Sequence, residues 1–375
     1  MWYNLRHMDI QPVKLAIIGG GAAGMFAAAV AAERRVPCVL LERKARLGSK
    51  VLMTANGRCN FTKDISDRQF LDDIAGTESQ THVARFVAEA IRECPPRKII
   101  SGFKALGLPL RRMADGRMFP ADGKAATIVH AFGDLLRDAE VPIVTNCPVR
   151  KLTSARGIDP SGRARFIVHT ANFDLTAENV LLATGGVSYP KTGSVGDGQN
   201  FARALGHTIV PYRPGLIGLE TNDPRVTRLA GQRFEDDGRV KVLGADGRTL
   251  YDYRGEVDCE RFGLSGAAVY NAQRFIEHWA RSARGGSGKP QDLSVEVWFG
   301  RNRLQFRGLK PRPVKEAIVT LGGVDLNEID PHAMQSKLCP GLFFAGEVMD
   351  IDGPTGGYNL TLAFATARKA VAAIR

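Results

Sequence analysis

Hydrophobic positions along the chain gather into short unbroken runs that end at glycine. The first, Leu15-Ala16-Ile17-Ile18, has the pattern of a parallel strand buried on both faces, and it runs straight into Gly19-Gly20-Gly21-Ala22-Ala23-Gly24. The alanine-rich segment behind those glycines predicts a helix, and Val39-Leu40-Leu41, closed by Glu42, predicts the next strand. Residues 179–182 and 341–345 repeat the pattern, one stopping at Ala183-Thr184-Gly185-Gly186 and the other at Ala345-Gly346-Glu347. Helical patterning is predicted at 70–94, 127–139, 199–205 and 361–373, and a hairpin at 166–176.

From 209 to 314 the period changes. Strand-like runs at 215–220, 239–243, 250–257, 293–299 and 303–306 alternate with turns such as Ala245-Asp246-Gly247-Arg248. One helix is predicted at 265–279 and a flexible glycine-rich link at 284–288. The chain therefore divides into 1–208 and 315–375, two parts of one α/β domain, and 209–314, a mostly β insertion. Residues 1–13 read as an extension ahead of the first strand.

The opening motif carries specific chemistry. Gly19 permits a tight turn, Gly21 lets backbone approach a pyrophosphate, and Gly24 lets the helix lie against the strand. With Ala22 and Ala23 the helix begins, and its unpaired N–H groups and positive dipole end face the phosphates. Glu42 stands at about the twenty-residue distance where an acid takes ribose hydroxyls. A carboxylate there would repel a 2′-phosphate, so FAD or NAD fits better than NADP. The basic residues that follow, Arg43, Lys44 and Lys50 among them, either reach the pyrophosphate or form a solvated loop.

Further along, Asn56-Gly57-Arg58-Cys59-Asn60 is dense in turn formers and suits a loop pressed on a polar ligand, with Asn60 a candidate contact. Val149 lies in strand-like sequence where two-domain flavoproteins commonly clasp adenine through the backbone. The small residues Ala183, Thr184 and Gly185 let backbone pass within contact of a cofactor. No second dinucleotide fingerprint occurs around Gly196 and Gly198, so no separate nicotinamide domain is expected. The C-terminal part repeats the opening geometry through Gly346, Glu347, Asp350, Gly356, Gly357, Tyr358, Asn359 and Leu360: strand, glycine turn, helix start. Helix-end N–H groups there would stabilise the anionic reduced form of an isoalloxazine.

Composition narrows the class. An apolar share of 44% and a charged share of 24% describe an ordinary globular protein, and 375 residues suffice for two or three domains. No apolar run reaches membrane-spanning length and the first eleven residues lack the apolar stretch of a signal peptide, so a cytoplasmic enzyme without a membrane partner is expected. Six scattered cysteines, with no close pair, exclude the usual zinc frameworks and a local redox disulfide; no metal is expected. The net charge of +12 favours anionic partners. Residues 281–315 concentrate it, with nine Lys/Arg against two acids, interleaved with Trp298, Phe299 and Phe306. Such a mix either binds RNA phosphates and stacks a base or forms a solvated sheet edge with core aromatics.

Taken together, GGGAAG (19–24), NGRCNFTK (56–63), ATGGVSYPKTGSVGDG (183–198) and the stretch from TLGGVD to GGYN (320–359) resemble the YhiN/BaiN-like flavoproteins, also labelled NAD(P)/FAD-dependent oxidoreductases or aminoacetone-oxidase-family enzymes. The resemblance implies a Rossmann-like (GR2-type) FAD-binding domain split in sequence around a β-rich substrate domain, non-covalent FAD, and NAD(P)H as a transient reductant. It implies reduction of an activated C=C bond, as in a uracil base of ribosomal RNA or a steroid enone. An FAD enzyme for a small enone or amine, and a non-catalytic flavin-binding protein, are the alternatives. Reduction needs a proton donor, for which Cys59 and Tyr358 are the candidates; otherwise they are a packed thiol and a ring that walls the flavin. The chain departs from the family in lacking a helical subdomain within the insertion, where only 281–315 stands.

Overall fold

The computed structural model describes residues 12–154, 165–235, 237–282 and 292–374; most of the leading extension and the link at 284–288 lie outside these residues. At its centre is the strand Val13–Ile18, whose Leu15, Ala16 and Ile17 are wholly buried. It pairs in parallel with Cys38–Leu41 on one side (Ile18 opposite Leu41) and with Asp174–Leu182 on the other (Ile18 opposite Leu182). Ile143–Val144 extends the sheet beyond the second strand, and Leu342–Phe344 joins it beside Asp174–Leu182, all in parallel. A strand buried on both faces has no polar face to show, which is why these segments read as unbroken apolar runs.

Helices cover the sheet. Ala22–Glu33 and Tyr358–Ala372 lie together, with Phe26 stacked on Phe364 at 4.9 Å and Phe132 and Phe103 edge-on beside them. The single helix predicted at 70–94 is two, Asp67–Ile74 and Glu78–Glu93, because Thr77 and Gln80 form a reciprocal capping box that starts a new helix after Gly76. Pro96–Ala105, with proline at its first position, is a helix the sequence pattern did not single out. The hairpin predicted at 166–176 exists, but its second strand runs unbroken to Leu182. Asp174–Leu182 pairs antiparallel with Phe166–Thr170 at its start and parallel with Val13–Ile18 at its end.

The insertion is β-rich, as its period predicts. Arg239–Leu243 is flanked by Thr249–Arg254 and Ser294–Phe299, and Asn302–Arg307 completes a four-stranded antiparallel sheet. Ala267–Ser282 packs on one face of that sheet, with Phe275 stacked on Tyr251 at 4.9 Å. Buried residues between 219 and 306 form a hydrophobic cluster distinct from the larger one formed by residues before 206 and after 323. The chain passes between the two through Ile209–Gly215 and Val319–Val324, which pair antiparallel. Among the described residues no helix is long and apolar enough to cross a membrane.

Candidate functional site

The central strands end at one rim, and each ends in a residue the sequence singled out: Gly19 after Ile18, Glu42 after Leu41, Ala183 after Leu182, and Ala345-Gly346 after Phe344. Strand order reverses between Val13–Ile18 and Asp174–Leu182, and the crevice at such a reversal is where open α/β sheets take nucleotides. A β-carbon on Gly24 would lie 1.8 Å from the carbonyl oxygen of Gly19, so only glycine lets the helix reach the turn. At Gly21 the same atom would meet nothing within 4 Å, which leaves open space beside the helix start.

Below that space Glu42 is buried. One oxygen accepts from the Gly20 N–H at 2.6 Å and the other from the Lys44 N–H at 2.7 Å. Burial pushes its carboxyl pKa up and the two N–H donors pull it back. A cavity between the strand ends is lined by Gly19, Leu41, Cys147, Val149, Thr184 and Phe201. Arg43 stands at its mouth, paired with Asp197 at 2.9 Å, and Thr184 Oγ1 is buried without a hydrogen-bond partner. Apolar walls, open glycine backbone, a carboxylate and an unpaired hydroxyl fit an adenosine with its diphosphate.

The second corner meets the first: a β-carbon on Gly346 would touch Ala23 at 3.3 Å. Beside it Lys50, Ser188 and Glu347 form a closed network. Lys50 Nζ donates to Ser188 Oγ and to Glu347 Oε2, both at 2.7 Å; Ser188 Oγ and the Thr320 N–H donate to Glu347 Oε1 at 3.1 and 2.6 Å. Gly357 begins the last helix at φ +97°, and a β-carbon there would lie 2.6 Å from the Thr62 backbone. Asn60, with its amide turned to satisfy both ends, accepts from the Gly357 N–H at 3.2 Å and donates to the Thr62 carbonyl at 2.9 Å. Polar, glycine-walled and set at a helix start, this end fits the pyrimidine side of a flavin.

Three further residues singled out from the sequence are held by the chain itself. Asn359 fastens the loop before it, accepting from the Gly353 N–H and donating to the Gly353 carbonyl, each at 2.9 Å. Asp350 accepts from the Gly322 N–H at 2.9 Å and pairs with Arg281 at 2.5 Å, tying the loop to the insertion's helix. Cys59 is fully buried, and burial pushes its thiol pKa up to about 12. Its packing fits the core-thiol alternative that the sequence also offered.

Tyr358 is placed differently. Its ring is 2% exposed and stacks on Phe70 at 4.8 Å, while its hydroxyl donates a short hydrogen bond to Asp73 and accepts from Lys63 Nζ at 3.2 Å. Burial first, and then the Asp73 carboxylate, raise the hydroxyl's pKa and keep it protonated. The sequence reading missed Asp73 and gave Lys63 no role. The one signal was helical spacing, which sets Phe70 and Asp73 on one face of Asp67–Ile74.

It also missed a buried ion-pair cluster. Asp352 is buried between Arg274 and His278 of Ala267–Ser282: Arg274 makes a short hydrogen bond to one carboxylate oxygen and also donates to the Asp352 carbonyl at 3.1 Å, and His278 Nε2 lies 2.9 Å from the other oxygen. Burial alone would raise the Asp352 carboxyl pKa, but Arg274 and His278 outweigh it and hold it well below the usual range. Nearby, Asn271 accepts from the Thr355 N–H at 2.8 Å. Helix and loop are thus locked where the insertion meets the flavin corner.

Residues 13–373 match the HI0933-like protein Rossmann domain family. The chain is 27% identical over 416 positions to a 3-dehydro-bile acid delta(4,6)-reductase of Clostridium scindens, covering 94% of this chain and 97% of that one. It is 26% identical over 403 positions to a ribosomal RNA dihydrouridine synthase of Escherichia coli, covering 94% and 95%. Both alignments are longer than this 375-residue chain, so each relative carries segments without a counterpart here. Among solved structures, a 3-ketosteroid-Δ4-(5α)-dehydrogenase from Rhodococcus jostii RHA1 shares the fold at a TM-score of 0.55 and 14% identity, over 100% of this chain and 99% of that one. The glycine crevice and these likenesses agree, and the chain belongs to the HI0933-like Rossmann-domain family as an FAD-dependent oxidoreductase.

Proposed function

We propose that the protein reduces a carbon–carbon double bond conjugated to a carbonyl, with NAD(P)H as the source of electrons. Both relatives' names point to that bond type: dihydrouridine is uridine saturated at the bond conjugated to its carbonyl, and a delta(4,6) 3-oxo steroid is a conjugated dienone. The net charge of +12 favours the RNA base over the small enone and, with it, work in the cytoplasm. At one end Gly19, Gly21, Ala22, Ala23, Gly24, Glu42, Arg43 and Val149 would hold the adenosine diphosphate. At the other, Gly346, Glu347, Lys50, Gly356 and Gly357 would hold the ring, with Ala183 and Thr184 between. FAD, when bound, supplies hydride to one carbon of the acceptor.

The observation that carries the reading is the Tyr358–Asp73–Lys63 corner. The other carbon needs a proton, and Tyr358 keeps one on a hydroxyl at the start of the last helix. The Lys63 ammonium, which donates to the Tyr358 oxygen at 3.2 Å and is partly exposed, lies in position to restore that proton and take another from solvent, while the Asp73 carboxylate, accepting from the hydroxyl, fixes its orientation. Anaerobic bleaching by NAD(P)H followed by re-oxidation with a uridine-containing RNA or a conjugated enone tests this. Tyr358→Phe should slow re-oxidation by about 10²–10⁴-fold and leave bleaching unchanged. A change under threefold removes Tyr358 as donor, and wild-type protein that neither acceptor re-oxidises removes the reaction.

A further inference from the structure

The insertion's four-stranded sheet has two unlike faces. Val240, Val242, Val295 and Val297 point inward to the hydrophobic cluster beneath Ala267–Ser282. On the outer face the register aligns Arg254, Arg239, Trp298 and Arg303 in one row across all four strands. The three nearest cations, Arg239, Lys241 and Arg303, stand 5.4, 5.5 and 5.2 Å from the centre of the Trp298 ring. Like charges in neighbouring cross-strand positions destabilise a sheet, so folding alone gives no reason for such a row. Asp252 pairs with Arg239 and Glu296 with Arg303, but Arg239, Lys241, Arg254, Arg303 and Arg307 against those two acids leave this face at 5 − 2 = +3. The row starts at the edge strand Thr249–Arg254, which packs on Ala267–Ser282 through the Tyr251–Phe275 stack, and the same helix reaches the loop before Tyr358 through Asn271, which accepts from the Thr355 N–H. From there it runs outward across the sheet for roughly 15 Å.

We propose that this face docks single-stranded RNA. One base stacks on Trp298 while Arg254, Arg239 and Arg303 take the flanking phosphates, and the strand leaves the sheet at the edge nearest Tyr358. Stacking on a half-buried aromatic set among cations suits single-stranded nucleic acid, whereas a partner bound by charge alone needs no tryptophan. The inference rests on the reading of an RNA base as the acceptor, and it can fail separately from it.

The test titrates FAD-loaded protein against a short fluorescein-labelled, uridine-rich single-stranded RNA at several salt concentrations. Trp298→Ala should weaken binding roughly 5- to 150-fold, and Trp298→Phe should restore most of it. Arg239→Glu with Arg303→Glu should flatten the salt dependence by about 1.4 in log–log slope. Bleaching by NAD(P)H and re-oxidation by a small enone should be unchanged in all three variants. RNA affinity and slope that do not move with these substitutions overturn the surface whatever the reductase assays give. Equal competition by double-stranded DNA or polyglutamate overturns it as well. RNA binding that depends on Trp298 in a protein no acceptor re-oxidises supports the surface and overturns only the reaction.

Discussion

Replacing Asp352 by Asn removes the charge from a buried, ion-paired carboxylate and should strongly destabilise the protein. The Arg274 and Asp352 side chains are 4% and 2% exposed, so the variant leaves a guanidinium buried without its counter-charge. Breaking a buried pair from one side costs about 3–5 kcal/mol, most of it the desolvation of the charge left behind. That corresponds to a fall in Tm on the order of 10 °C. The assay is urea unfolding of the FAD-loaded protein, followed by tryptophan fluorescence and flavin release. Arg274→Met combined with Asp352→Leu should recover most of the loss, since a buried pair replaced by apolar side chains of similar volume is close to neutral. The pH dependence gives a second handle. The folded carboxyl titrates below its unfolded value, so its contribution is complete above about pH 4 and lost as pH falls through the lower folded value. The gap between wild type and Asp352→Asn should therefore stay constant from neutral pH to about 4 and close below it. A loss under about 1 kcal/mol, or a double variant no better than the single one, refutes the reasoning.

Gly357→Ala forces a β-carbon to 2.6 Å from the Thr62 backbone at φ +97°; a cost of at least 1–2 kcal/mol and loss of flavin on gel filtration are expected, and full flavin retention would count against the cradle. Cys59, its thiol pushed up to about 12, should resist iodoacetamide at pH 8 in the folded protein, and Cys59→Ser should keep turnover within a few fold. Rapid labelling or a hundredfold loss would return it to the chemistry. Glu42→Gln removes the charge and turns one of two accepting oxygens into an NH2 that faces a backbone N–H, so flavin affinity measured by dialysis should weaken without a change in reduction by NAD(P)H; a slowed reduction step would mean that Glu42 acts beyond the adenosine end.

The crevice was legible in the chain because its requirements are local. A strand buried on both faces must be apolar throughout, and a helix that starts against a strand end must have glycine where a side chain would meet a carbonyl, as Gly24 does. Glu42 follows from the same logic, one strand later. The period of the insertion predicted its strands, and alternation along them already separated Val240 and Val242 from Arg239 and Lys241. Other features depend on which surfaces the strand order brings together. Asp73 meets Tyr358 across 285 residues and Arg274 meets Asp352 across 78; helical spacing sets Asp73 beside Phe70 but names no partner for it, and nothing local pairs Arg274 with Asp352. Cys59 looked like a loop thiol, and only the assembled hydrophobic core, which takes it in at 0% exposure, buries it. The division is physical: sequence alone fixes what each segment's own backbone and nearest neighbours demand, while burial, and with it the titration and reach of every polar group, is set by contacts that exist only after the sheet has been assembled.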